Sequence, residues 1–471
     1  MSPGFHYSTI ARLAAGIRSK KVSPVEVVDA ALERIAECEG QLNCFSNLDS
    51  NNARLQALSA EAAAQRGEDL GPLHGIPLTI KGNIDVAGWH CPAGSTLRKD
   101  YVAQQDAALV ARWKAAGAIL LGNTNTPEFL MAYESNNLLT GKTSNPWDLT
   151  RTPGGSSGGE GAAIASGCSA GGIGSDGGGS IRVPAHFCGI CGLKPTPGRV
   201  PSTGHFPPGA GLLNWLGVVG PMARTVADVR TLFEVMAGPD PGDALSAPVP
   251  IKSATDPKNL SGLRVGLLES DALGKATPET NAAVQRAAGF LAAQGSVVEP
   301  FKLSGLDRAL DIWWFFFGPL VVHLFGPTVE GHMEEISPIL REYLSFAAPE
   351  RPVTLDEVID NCAQRDLVRA EILRQVADVP ILLSPVSAKP AFRHGEGTYE
   401  PGAPECYRET MRFSQWLNLA GFPGATVPVG SSHEGLPIGV QIIGRPYEEE
   451  LVLAVADQIE QARGPWQPPP L

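Results

Sequence analysis

Cysteine is scarce in this chain, with eight residues in 471, too few to staple a fold of this size with disulfides. Cys188 and Cys191 stand at C-x-x-C spacing, but no second pair completes a zinc set and no thioredoxin-like unit surrounds them. No metal or redox role is expected of them. Lysine and arginine form no block, and the net charge of −12 argues against a phosphate-backbone partner. That acidity reads as solubility and self-repulsion. Long apolar runs are also missing. Residues 1–20 lack the apolar core of a signal peptide. The longest run, residues 312–325, is interrupted by Gly318, Pro319 and His323, and falls short of the roughly 20 residues a membrane span needs. The expectation is a cytoplasmic protein with no membrane span and no nucleic-acid partner.

What is present is an ordinary globular balance, 43% hydrophobic and 18% charged, enough for a large core. The length admits about three domains. Strands alternate with helices from end to end, however, and only residues 238–258, rich in proline and aspartate, read as a connection. An α/β fold with its sheet covered on both faces follows, as one domain over residues 1–471. Residues 1–70 read as helices, one opened by the capping box Ser23-Pro24-Val25-Glu26 and running to about Cys38. Residues 71–237 form the core and 238–378 a variable region with a second capping box, Thr354-Leu355-Asp356-Glu357. Residues 379–471 hold the closing strands and the last helix.

Glycine is the opposite of scarce, at 53 residues, and is concentrated in residues 152–197, TPGGSSGGEGAAIASGCSAGGIGSDGGGSIRVPAHFCGICGLKPTP. Two glycine-rich segments, 154–159 and 171–179, read as loops flanking one buried alanine-rich helix, and each presents a serine, Ser156 or Ser180. Such density costs chain entropy unless the backbone takes positive φ or approaches something closely. Successive free N–H groups in such a loop can form an anion-binding nest. A serine at its end is placed to attack a carbonyl while Gly177, Gly178, Gly179 and the N–H of Ser180 receive the oxyanion. Lys81 closes the apolar strand 76–80, at the end where α/β sheets bind ligands; from the strand alone it reads as a surface lysine.

Three other motifs fail on their letters. Thr140-Gly141-Lys142-Thr143 looks like the end of a P-loop, but Asn136 stands where the first glycine is needed. Gly172-x-Gly174-x-x-Gly177 fits a dinucleotide fingerprint, yet no acidic residue occurs between Asp176 and Asp228. Gly154-x-Ser156-x-Gly158 fits a nucleophile elbow, but no strand precedes it and the nine histidines form no interpretable arrangement.

Residues 152–197 resemble the amidase signature family, serine hydrolases with a Ser–cisSer–Lys triad. The similarity is dense there, weaker over residues 73–237, and returns at 418–446 (LNLAGFPGATVPVG…GLPIGVQIIGRP). The resemblance implies a single compact fold with a mixed, twisted central sheet and no cofactor or metal. It implies Ser180 as nucleophile, Ser156 as bridge after a cis Gly155–Ser156 peptide, and Lys81, in the GIP-x-x-x-K position, as a base kept neutral by burial. By the same resemblance, Ser157, Asp176 and Arg182 hold the loops, and Leu130, Met131 and Ala132 line the acyl pocket. The FCGICG segment becomes buried core behind the nucleophile. The aromatic stretch DIWWFFFGPLVVHLFG, within residues 304–348, reads by composition as plain core; in the family this region commonly covers the active-site mouth, which favours a hydrophobic or aromatic substrate, and core and lid both stay open here. The implied activity is amide hydrolysis, extending by the same acyl chemistry to small-molecule esters and carbamates (urethanes). The alternative is the glutaminase subunit of a tRNA-dependent amidotransferase, which has the same triad and a similar length. The aromatic region and the middle of the chain read against that alternative. Homodimers are common among such enzymes, although no interface is legible in these residues.

Overall fold

The computed structural model describes residues 4–209, 211–252, 260–268, 274–396 and 403–471. An eleven-stranded sheet runs through it. In chain order its strands are β1 (Phe45–Leu48), β2 (Pro77–Lys81), β3 (Ile119–Thr124), β4 (Gly171–Asp176), β5 (Cys191–Lys194), β6 (Val218–Ala223), β7 (Arg264–Leu268), β8 (Val297–Phe301), β9 (Ile381–Pro385), β10 (Gly424–Ser431) and β11 (Pro437–Gly444). They lie side by side as β1-β3-β2-β4-β6-β5-β10-β11-β9-β7-β8. β2 runs parallel to both β3 and β4, and β7 parallel to both β8 and β9. The remaining neighbours are antiparallel. The sheet is therefore mixed, as expected. Every residue of β2, β3, β4, β6 and β11 is buried, the pattern of strands covered on both faces.

Local signals set most of the helices. Both capping boxes form, opening Pro24–Leu42 and Leu355–Gln375. The first helix passes Cys38 and stops at Leu42, where Asn43 turns left-handed with φ 50°. The first 70 residues are not purely helical, because β1 pairs antiparallel with β3.

The larger correction concerns the glycines. Residues 171–176 are strand β4, not a loop. Small residues there let neighbours cross the strand: a Cβ on Gly172 would run into the Glu160 carboxylate, and one on Gly174 would come within 2.8 Å of Met222 Sδ. The alanine-rich segment is a helix, Gly158–Ala165, buried at every residue. The FCGICG segment is buried core, as expected, but its second half is strand β5.

The aromatic segment also differs from its sequence reading. Leu306–Phe315, Phe316–Leu320 and Val321–Val329 follow one another without a break, the middle piece as a π-turn. Pro319 has no N–H to give an ordinary helical turn, and the wider π-turn absorbs it. The interruptions at Gly318 and Pro319 therefore do not divide the helix. By length and composition alone, Leu306–Val329 is long and apolar enough to cross a membrane, and 50% of its most apolar window is buried inside the protein.

Candidate active site

Lys81 is the last residue of β2 and is fully buried. Its Nζ lies 2.6 Å from Ser156 Oγ and 2.9 Å from Ser175 Oγ. Burial pushes its ammonium down to about 7, against the opposing pull of the Asp176 and Glu160 carboxylates. The strand end, which by itself reads as solvent-facing, is covered by the 154–159 segment. Glu160, one turn into the helix after Ser156, is buried beneath the lysine. It accepts hydroxyl bonds from Thr79 at 2.7 Å and Thr124 at 3.0 Å, and burial raises its carboxyl to about 8.

The Gly155–Ser156 peptide is cis. Ser157 fastens this corner to β4: its N–H donates to Ser180 O at 3.2 Å, its Oγ donates to Ser175 O, and it accepts from Ser175 N. Ser175 was not legible as a site residue, because the segment that carries it reads as loop and the register of β4 alone points it at Lys81.

Asp176 and Arg182 form an ion pair with both side chains at 0% exposure. The guanidinium donates through Nε and Nη2 to the two carboxylate oxygens at 3.0 and 2.9 Å, a bidentate geometry that holds both planes. Its remaining donors reach Gln441 Oε1, Ser414 O and Asn418 Oδ1. Asp176 also accepts backbone N–H bonds from Gly179 at 2.7 Å and Ile181 at 3.1 Å. The pair thus ties the turn after β4 to the helix Ala403–Ala420 and to β11. One expectation is revised here: the Gly179 N–H, expected in the oxyanion nest, is committed to Asp176. The N–H groups of Gly177, Gly178 and Ser180 have no internal acceptor among the described residues.

Ser156, Ser180, Gly177 and Gly178 lie at one cleft that opens to solvent. Leu130, Met131 and Ala132 are on its wall, and so are Trp313 and Phe317 of the aromatic helix. The aromatic segment is core and wall at once: Trp313 is 3% exposed, and its ring stacks on Phe317 at 4.7 Å. The loop after β5 was missed. It brings His205, Pro207 and Leu213 to the cleft, and a Gly/Pro-rich stretch without periodicity carries no signal for this. His205 Nδ1 lies 2.9 Å from Pro207 O, an acceptor only, so Nδ1 carries the proton. Burial lowers this imidazole to about 4, which keeps it neutral at pH 7.

The amidase family model matches residues 26–453. A glutamyl-tRNA(Gln) amidotransferase component from Roseiflexus sp. (strain RS-1) is 36% identical over 479 aligned residues, covering 97% of this chain and 96% of that protein. The alignment crosses the middle of the chain, against the expectation that this part departs from the amidotransferase pattern. Among solved structures, 6-aminohexanoate cyclic dimer hydrolase in complex with substrate superposes with a TM-score of 0.86 at 28% identity, covering 98% of each chain. A bacterial aryl acylamidase of the amidase signature enzymes superposes with a TM-score of 0.87 at 26% identity, covering 98% of this chain and 97% of that one. With sequence and fold matched along almost the whole length, this chain belongs to the amidase family, the amidase signature enzymes.

Proposed function

We propose that the protein hydrolyses the C–N bond of uncharged, largely apolar amides through an acyl-enzyme on Ser180. The observation that carries this reading is the buried contact of Lys81 with Ser156, on the floor of a cleft that also holds Ser180. With Lys81 neutral, its Nζ accepts the Ser156 proton while Ser156 Oγ accepts that of Ser180, whose Oγ adds to the substrate carbonyl. The oxyanion meets the N–H groups of Gly177, Gly178 and Ser180. The proton then returns through Ser156 to the leaving nitrogen, since an unprotonated amine leaves poorly. Water enters and the relay runs again to release the acid. No cofactor or metal takes part in these steps. Esters and carbamates fit the same acyl chemistry.

The substrate class rests on the lining. Trp313, Phe317, Leu213 and Met131 are apolar or aromatic, and the one carboxylate there, Asp176, is engaged by Arg182. That wall suits an aryl or hydrophobic group, and the likeness to an aryl acylamidase agrees with it. A second reading, the glutamine-hydrolysing subunit of an amidotransferase complex, is favoured by the curated relatives. Glutamine, however, brings an α-ammonium and an α-carboxylate into a cleft whose described lining has no uncommitted charged side chain for them.

Purified protein, with Ser180→Ala beside it, should be assayed for product release from an anilide, an aryl carbamate, a primary aliphatic amide, a fatty acid amide and glutamine. Anilide or carbamate turnover that disappears in Ser180→Ala is the expected result. Turnover of glutamine alone would move the assignment to the amidotransferase subunit. Full activity in Ser180→Ala would end the Ser180 reading.

A further inference from the structure

The turn Gly177-Gly178-Gly179 is held from outside, carbonyl by carbonyl. Asp176 O accepts from Asn418 Nδ2 at 2.9 Å, and Gly177 O from Trp313 Nε1 at 2.9 Å. Gly178 O accepts from Tyr133 Oη at 2.7 Å, and Gly179 O from Val183 N at 2.7 Å. In a planar trans peptide the carbonyl and the following N–H point in opposite directions. Fixing those carbonyls therefore fixes the opposed directions of the N–H groups of Gly177, Gly178, Gly179 and Ser180. Gly179 gives its N–H to Asp176; the other three have no internal acceptor among the described residues, and their residues line the cleft.

Two of these tethers come from the cleft wall itself. A Cβ on Gly177 would lie 2.5 Å from Phe317 Cζ, and one on Gly178 2.5 Å from Trp313 Cζ2. The stacked pair of aromatic rings thus rests directly on the turn. Trp313 is 136 residues from Gly177 in the chain and lies in the segment that reads as variable.

We propose that Trp313 is a positioning residue for the oxyanion hole: by donating to Gly177 O, it orients the Gly177–Gly178 peptide so that the Gly178 N–H faces the tetrahedral intermediate. Tyr133 holds the next peptide through Gly178 O, but the N–H opposed to that carbonyl is Gly179's, already given to Asp176, so Tyr133 steadies the turn without aiming an oxyanion donor. This rests on Ser180 being the nucleophile. Its consequence is that the aromatic wall acts on the transition state as well as on substrate binding.

Trp313→Phe keeps a ring against Phe317 and removes the N–H donor together with part of the indole; Tyr133→Phe, near-isosteric, removes a donor to a carbonyl whose opposed N–H is not an oxyanion donor and serves as the comparison. Each is compared with the parent on one anilide and on inhibition by phenylboronic acid, which forms a tetrahedral anionic adduct on a serine hydroxyl. Losing a direct oxyanion donor costs about 10²–10³ in kcat, so a misdirected one is expected to cost about ten-fold. The expected result for Trp313→Phe is kcat down about ten-fold, boronic acid affinity down by a similar factor, and KM within about two-fold, because the interaction strengthens only in the transition state; Tyr133→Phe should lose less. KM raised with kcat and boronic acid affinity retained would make Trp313 a pocket wall and overturn the proposal. So would parent-like behaviour of Trp313→Phe. Should Trp313→Phe fail to fold, Trp313→Met, which also has no N–H donor, decides by the same split. Ser180→Ala separates the underlying reading: if it binds phenylboronic acid as tightly as the parent does, Ser180 is not the nucleophile, whatever the tryptophan does.

Discussion

The pH dependence of hydrolysis should follow Lys81. Its amine has no exposed surface, and burial brings its ammonium from the ordinary lysine range down to about 7. In the proposed mechanism the base is the neutral amine, so kcat/KM should climb as pH rises through about 7 and level off above it. Two pH units below that midpoint only about one amine in a hundred is neutral, so at pH 5 the rate should be about a hundred-fold below the plateau, with a slope near one per pH unit. Two neighbouring groups titrate clear of this limb. His205 is lowered by burial to about 4. Asp176, where Arg182 outweighs the burial penalty, lies well below the usual carboxylate range. Glu160, raised by burial to about 8, and Lys194, lowered by burial to about 7, are close enough to confuse. The assay is initial-rate release of aniline from a neutral anilide between pH 5 and 9, with Glu160→Gln and Lys81→Ala measured alongside. A limb that persists in Glu160→Gln and activity that collapses in Lys81→Ala are expected. A flat profile from pH 5 to 8, or a limb that vanishes with Glu160, would refute the assignment of Lys81 as the base.

Two further substitutions probe the scaffold. Arg182→Met leaves Asp176 a buried carboxylate with its backbone donors but without the two guanidinium bonds, and should destabilise the fold by about 3–5 kcal/mol in urea unfolding; a loss under about 1 kcal/mol would show that the pair is dispensable. Gly178→Ala places a methyl 2.5 Å from Trp313 Cζ2 and 3.1 Å from Tyr133 Oη. It should lower kcat by about a hundred-fold or more by displacing an oxyanion donor, while thermal unfolding moves only by the about 1–3 kcal/mol of an overpacked site; a kcat near the parent's would contradict the placement of that donor.

Much of the candidate site was legible because its signals are local. Although Lys81 reads as a surface lysine until the family resemblance places it in the site, glycine runs beside Ser156 and Ser180 state a chemistry within a few residues each. The capping boxes at Ser23 and Thr354 work the same way, since each joins a side chain to a backbone three residues on. These signals also carried the resemblance, and with it the mixed α/β sheet. What the letters did not carry is what depends on distant partners. The glycines of 171–176 read as loop, yet they form a strand and are small because Glu160 and Met222 cross it. Gly177 and Gly178 read as a nest alone, yet Phe317 and Trp313 also rest on them. Ser175 entered the site through strand register, and the loop carrying His205 through packing against the cleft. A run of residues determines its own backbone tendencies and so can announce a turn, a cap or a nucleophile. Which wall presses on that turn, and which N–H remains for the substrate, is decided only where separate segments exclude water together, because close packing and buried hydrogen bonds depend on both partners at once.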